Sequence, residues 1–421
     1  MKWWKLLGFN ANVVDIIIKA EKNVIQRHHE VDDIRLYNQA KVLKAFQEEK
    51  ITDDCFHSHE GYAYNDFGRE KLEALFARVF KGEEALVRPH FVSGTHTLFT
   101  CLKALLRPGE RLVSVTGLPY DTLWNTIKGN NNENGTLLDW GISFDYCHPK
   151  DFESSEKRLI LNKMLQEPTK VVFIQRSKGY DPFRLTLTNS QIGLLVKKIR
   201  QINPELIIFV DNCYGEFVEK EEPLEVGADL IAGSLIKNPG GGLAPTGGYV
   251  VGKKRYVMGV SNALTAPGLG KELGSFLMHK RLFYQGLFVA PHFVGEALKG
   301  AITFSFVLKS LGYEVDPGPF QTRGDIVQSV RFKTKDELET FINAVQKFSP
   351  VNSHYTPVAG HTAGYSVPIY MAAGTFVQGA TSEFSADAPL REPYTIYLQG
   401  GLSYEHILIG LAAVLENILK N

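Results

Sequence analysis

The sequence predicts an α/β fold: a mainly parallel sheet covered by helices on both faces, followed by a smaller α+β C-terminal domain. Three observations carry this. From about residue 85 onward, short apolar runs alternate with stretches of helical periodicity, the pattern of parallel strands joined by crossover helices. A chain of 421 residues exceeds one ordinary domain, and 44% hydrophobic content supplies a large core with a smaller one beside it. Beyond about residue 290, strands and helices are less regularly interleaved, which fits an α+β unit.

Residues 1–60 read as an N-terminal arm with helices. Their apolar stretches are broken by Lys5, Asn10, Asn12 and Asp15 before a secretory signal core can form. Residues 61–289 read as the large domain. It opens on a helix over 69–80, with Leu72, Leu75, Phe76, Val79 and Phe80 on one face. Gly82 breaks it, and a strand is predicted over Ala85–Phe91, then a helix over Thr97–Leu106. Further strands are predicted over Arg111–Thr116, Ile142–Cys147, Lys170–Gln175, Leu206–Asp211, Asp229–Gly233 and Gly248–Val251. Gly129–Thr136 is rich in turn formers and reads as a surface loop. Residues 290–421 form the small domain. After the Gly/Pro-rich Ala266–Gly270, a helical region leads to Asp325–Val330, a helix near 335–347, late strands around 366–378 and 393–399, and a closing helix over Tyr404–Leu419.

Composition excludes several functions. Lys+Arg and Asp+Glu both number 46, with no long basic run, so nucleic acid is not an expected partner. No uncharged apolar run approaches the roughly 20 residues that cross a bilayer. Cys55, Cys101, Cys147 and Cys213 form no C-x-x-C pair, which fits a reducing, cytoplasmic setting better than a disulfide framework. Cys55, His57 and His59 lack a fourth ligand at a familiar spacing, and no metal is assigned. Gly240–Gly242 lacks the order of a nucleotide-binding loop.

The chemistry concentrates on two strand ends. Ile207–Val210 is an apolar run that stops at Asp211, and Gly233-Ser234-Leu235-Ile236 leads to Lys237 before a glycine run. A lysine housed in this way suits pyridoxal 5'-phosphate, which needs an amine, an anion opposite its ring nitrogen, donors for its phosphate and a flat group over its ring. Lys237 is the candidate amine and Asp211 the candidate anion. Tyr214 is a candidate partner for the cofactor's phenolate oxygen. Ser93, Gly94 and Thr95, at the start of a helix, are candidates for the phosphate, with Ser234 a second donor. Tyr120 follows the next strand, is placed to stack over the ring, and joins Lys237 as a catalytic candidate. Each has a plainer reading: Asp211 and Ser93 as caps, Tyr120 and Tyr214 as packing, Lys237 as a solvated lysine.

These residues lie in blocks that resemble the methionine gamma-lyase-like family, also called the aluminium resistance protein family, within the fold type I pyridoxal phosphate enzymes. The blocks are Gly61–Asp66, Val92–His96, Gly117–Thr122, Gln175–Tyr180, Val210–Glu219, Gly233–Tyr249, Gly374–Ala380 and Tyr397–Gly401. The resemblance is nearly full-length. It implies a carbon-sulfur lyase acting on a sulfur-containing amino acid, of cystathionine beta-lyase or methionine gamma-lyase type, with a link to aluminium resistance. It also implies a homo-oligomer, a dimer sharing its active sites within a tetramer. In the better-studied cystathionine lyases a Tyr-x-Arg pair from the neighbouring subunit grips the phosphate. Here Tyr64 matches the tyrosine, but position 66 is Asp, and His59 stands where a hydroxyl residue is expected. For the substrate carboxylate, Arg391 is the first candidate and Arg323 the second, with a surface salt bridge the plainer reading of either. Two other functions share the same anchors: a different pyridoxal phosphate reaction, such as transamination or decarboxylation, and a non-catalytic cofactor-binding stress protein.

Overall fold

The structure, a computed structural model, describes residues 2–129 and 134–419, so residues 130–133 of the loop expected over Gly129–Thr136 lie outside the described residues. Seven strands form the large sheet: β1 (Glu84–Arg88), β2 (Arg111–Ser114), β3 (Ser143–Tyr146), β4 (Thr169–Gln175), β5 (Ile207–Asp211), β6 (Leu230–Ser234) and β7 (Gly248–Gly252). Their order is β1-β7-β6-β5-β4-β2-β3. Only β7 runs against its neighbours β1 and β6, and every other pairing is parallel.

The apolar run Ile207–Val210 is continuous because a central parallel strand is buried on both faces. Ile207 and Phe209 point with Leu112, Val171 and Phe173 into a core closed by Leu98 and Leu102, Leu123 and Ile127, and Val257 and Val260 of three helices. Ile208 and Val210 point the other way, with Val113, Val172 and Ile174, against Leu72 and Phe76, Ile192 and Ile199, and the helix Arg281–Ser310. This two-residue alternation is what gives the sheet two covered faces.

Five antiparallel strands build the second sheet: β8 (Glu314–Asp316), β9 (Gln328–Arg331), β10 (Ile369–Ala372), β11 (Ser385–Pro389) and β12 (Thr395–Gln399), in the order β10-β11-β12-β9-β8. The late strand expected over 366–378 is shorter and is followed by β11, a strand absent from the sequence reading. Its residues Ser385-Ala386-Asp387-Ala388-Pro389 carry little strand propensity, and it forms because it lies between β10 and β12. Helices Lys335–Lys347, capped by the reciprocal pair Thr334 and Glu337, and Tyr404–Ile418 cover this sheet.

Two long helices differ from the expected plan. Ala11–Glu48 is one helix of 38 residues, packed along Arg281–Ser310. Arg35 Nη1 meets Glu296 Oε1 at 2.8 Å and His28 Nε2 lies 3.1 Å from Thr303 Oγ1. Arg281–Ser310 runs straight through residue 290, where the sequence reading divides the domains, and holds Pro291 inside it. Proline removes one helical hydrogen bond. Burial of Leu287, Ala290, Val294 and Leu298 around it offsets that loss. Among the described residues no helix is long and apolar enough to cross a membrane.

Candidate active site

The C-terminal ends of parallel strands are where open α/β sheets place their ligands. Here those ends face the second sheet across a cavity of about 370 Å³. β5 delivers Asp211 to its floor, and the turn that follows puts Tyr214 at φ +70°, a left-handed conformation uncommon for a residue with a side chain. That turn carries the Tyr214 ring over Lys237, whose Nζ lies 4.0 Å from the ring centre. Lys237 arrives from β6 through Leu235 and Ile236, and the chain then doubles back at Asn238–Gly240. Gly240 is required there: a Cβ would lie 1.6 Å from the carbonyl oxygen of Leu235.

Charge is buried in this floor. Burial pushes the Asp211 carboxyl upward, opposed by Lys237 and by the Cys213 amide, which donates to Asp211 Oδ1 at 3.1 Å. Burial also opposes the charge on Lys237, but Cys213, Tyr214, Tyr120 and Asp211 favour it, and the net direction is upward. Burial pushes the Tyr214 phenol up to about 12, against the pull of Lys237.

The helix Gly94–Leu105 begins beside this floor. Ser93 caps it, accepting from the His96 amide at 3.0 Å, and is itself exposed. Gly94 and Thr95 line the cavity. A Cβ on Gly94 would stand 3.3 Å from Ser234 Cβ and 3.8 Å from Cys213 Sγ, so the helix start, the end of β6 and the Asp211 turn converge. Ser234 is buried, its Oγ accepting from the Ile236 amide at 3.4 Å. Tyr120 Oη and Thr122 Oγ1 lie 3.0 and 2.8 Å from Thr95 Oγ1, and the Tyr120 amide donates to Gln175 Oε1 at 2.9 Å. Burial drives the Tyr120 phenol strongly upward. The lining thus brings together Gly94, Thr95, Tyr120, Asp211, Tyr214 and Lys237, while Ser93 and Ser234 are not part of it.

The remaining candidates lie elsewhere. Arg391 lines an outer cavity of about 270 Å³ that shares Tyr120 and Tyr180 with the inner one. Its Nη2 donates to the Tyr180 carbonyl at 2.8 Å, and Nη1 is 4.0 Å from Asp121 Oδ2. Arg184, which the sequence reading passed over, lines the same outer cavity with a buried, unpartnered Nη1. Arg323 is outside both linings. It is buried in the small domain, donates to Gln328 Oε1 at 2.5 Å, and burial lowers its guanidinium to about 10. Tyr64 is exposed beside Tyr62, their rings 5.6 Å apart, and is not in the cavity of its own chain. Asp66 is fully engaged: it caps the helix Phe67–Val79 through the Arg69 amide at 3.0 Å, pairs with Lys280 Nζ at 2.9 Å, and lies 3.3 Å from His59 Nδ1.

Four further cavity residues, Tyr180, Tyr365, Asp387 and Gln399, had no role in the sequence reading. Tyr180 Oη and Gln399 Nε2 each donate to Asp387 Oδ2 at 2.8 Å, and the Tyr365 ring lies tilted beside Tyr180 with ring centres 5.6 Å apart. Asp387 and Gln399 come from β11 and β12, so the small domain forms the wall opposite Lys237.

This donor set fits pyridoxal phosphate. A buried carboxylate and a buried amine end adjacent strands, an aromatic ring lies on the amine, and a glycine at a helix start leaves room beside exposed amides. YnbB of Bacillus subtilis, itself uncharacterised, is 42% identical over 405 residues, 96% of each chain. A carbon-sulfur lyase involved in aluminum resistance from Clostridium novyi superposes with TM-score 0.92 at 44% identity, covering 99% of this chain and 98% of that one. A cystathionine gamma-lyase from Lactobacillus plantarum shares the fold, with TM-score 0.58 at 18% identity over 83% of this chain and 86% of that one. The model of the family described as methionine gamma-lyase matches residues 13–419, and the chain belongs to that family.

Proposed function

We propose that this protein is a pyridoxal phosphate-dependent carbon-sulfur lyase acting on a sulfur-containing amino acid, of cystathionine beta-lyase or methionine gamma-lyase type. The observation that carries the reading is the meeting of Asp211 and Lys237, from adjacent strand ends, in one buried cavity at the start of the helix Gly94–Leu105. The name of the Clostridium novyi relative supports the reaction class and a role in aluminium resistance.

When bound, the cofactor supplies a ring that takes up the electrons of a broken Cα–H bond. The protein's residues do the rest. Lys237 would hold the cofactor, and its Nζ would carry the proton away from the substrate Cα. Asp211 keeps a proton on the ring nitrogen, a task suited to a buried carboxylate next to a cation. Gly94, Thr95 and the amides of the helix start receive the phosphate, backed by Ser93 and Ser234. Tyr120, fixed by Thr95 and Gln175, covers the ring. Arg391, in the outer cavity, takes the substrate carboxylate. β11 and β12 wall the cavity on the side opposite Lys237. Tyr64 is proposed to reach the phosphate of a neighbouring subunit in a homo-oligomer, a role that its exposure supports.

The test is a screen of the purified, cofactor-loaded protein over sulfur amino acids, measuring thiol, keto acid and carbon dioxide together. Thiol and keto acid in equal amounts are expected. Keto acid without thiol would make it an aminotransferase, and carbon dioxide a decarboxylase.

A further inference from the structure

The cavity holds a second buried carboxylate that the reaction outlined above does not use. Asp387 lies on β11, opposite Lys237, and is 8% exposed. Its two hydrogen-bond donors, Tyr180 Oη and Gln399 Nε2, are both neutral and both end on Oδ2 at 2.8 Å. They fix the plane of the carboxylate without cancelling its charge. Around it the cavity is lined by uncharged groups, among them Thr381, Ser385, Tyr365 and Met371. Lys237 acts on it across the cavity, but that amine is committed to the cofactor. A buried carboxylate without a permanent cation is costly unless something pairs with it. Burial raises its affinity for a proton, and an ammonium brought alongside would supply the positive charge that its two neutral donors do not.

We propose that Asp387 is a specificity-determining residue that selects substrates whose side chain ends in a second ammonium group, pairing with that group while Lys237 works at the other end of the same cavity. The inference rests on the lyase reading of the cavity and narrows it. An S-linked diamino acid satisfies Asp387. Methionine or an S-alkylcysteine leaves it buried and unpaired, so the cavity discriminates against them. Selection here is the cost of an unpaired charge as much as the gain of a paired one.

The test compares two ligands that differ only in that amine: L-cystathionine and S-(3-carboxypropyl)-L-cysteine. Each is titrated into the cofactor-loaded protein, Kd is read from the change in the cofactor's visible band, and released thiol is measured in the same samples. Wild type is expected to bind the diamino ligand at least about tenfold more tightly. Asp387→Asn, which keeps the shape and the acceptor for Tyr180, should bring the ratio to about one, and Asp387→Glu should keep a preference. A wild-type ratio near one, or a ratio unchanged in Asp387→Asn, would overturn the assignment. Should Asp387→Asn fail to retain cofactor, the wild-type ratio and Asp387→Glu still decide. The lyase reading fails separately: a preserved ratio with no thiol from any ligand leaves Asp387 as the selector of another reaction, and thiol without a ratio does the reverse.

Discussion

Lys237 Nζ sits 4.0 Å above the ring of Tyr214, and Tyr214 reaches that place only by adopting φ +70°. A left-handed residue with a side chain costs on the order of 1 kcal/mol, so the turn after Asp211 holds strain in order to cover the lysine. Tyr214→Phe keeps the ring and should retain cofactor affinity within a few-fold. Tyr214→Ala removes the cation–π contact and the shield, and should weaken cofactor binding by about tenfold. Titration of cofactor into the apoprotein reads both, and equal affinity in the two variants would assign the ring to packing alone.

Asp211→Asn should leave the fold intact and reduce turnover by about a hundredfold or more, because an amide cannot hold a proton on the ring nitrogen. Its backbone bond to Cys213 survives in the amide, so the melting temperature should change little. Wild-type turnover in this variant would make Asp211 a strand-end cap.

Much of this site was legible in the chain because its parts are local. Asp211 ends an apolar run and Lys237 follows another, and each signal is complete within about ten residues. Asp387 gives no such signal. It lies in Ser385–Pro389, becomes part of the site only when β11 inserts between β10 and β12, and meets Tyr180 from more than 200 positions away. The long N-terminal helix was hidden for a different reason. Its exposed side keeps Ile18, Ile25, Leu36 and Leu43, so its buried stripe does not stand out in the sequence. The division at residue 290 followed the change in how strands and helices interleave, and the helix Arg281–Ser310 runs across it.

Glu216 ties stability to pH. It is buried under the site, its Oε1 accepts from Tyr249 Oη at 2.7 Å, and its Oε2 is buried without a partner. Burial pushes its carboxyl up to about 8, above the value it has in the unfolded chain. Its contribution to stability is therefore fully present below about pH 4.5 and is lost as pH rises through about 8. Glu216→Gln should lose less stability than wild type over that window, so the difference in melting temperature, variant minus wild type, should grow more positive from acid to alkaline pH. Parallel curves would contradict the assignment.

Tyr64 and Lys237 are proposed to serve one site from two chains. Lys237→Ala and a Tyr64→Ala variant should each be inactive alone. Subunit exchange between them should restore part of the activity, since a mixed dimer has one intact site and one doubly defective site. Exchange verified by mass with no recovery would place Tyr64 within its own chain's function or outside the site.

The central claim is that Lys237 carries the cofactor. Borohydride reduction of the purified, cofactor-loaded protein, followed by peptide mass mapping, tests it most directly. Wild type should show the reduced cofactor fixed to the peptide containing Lys237, and Lys237→Ala, still folded by circular dichroism, should show no adduct. A borohydride-fixed adduct on another lysine of the wild type, or an undiminished one in Lys237→Ala, would contradict the account.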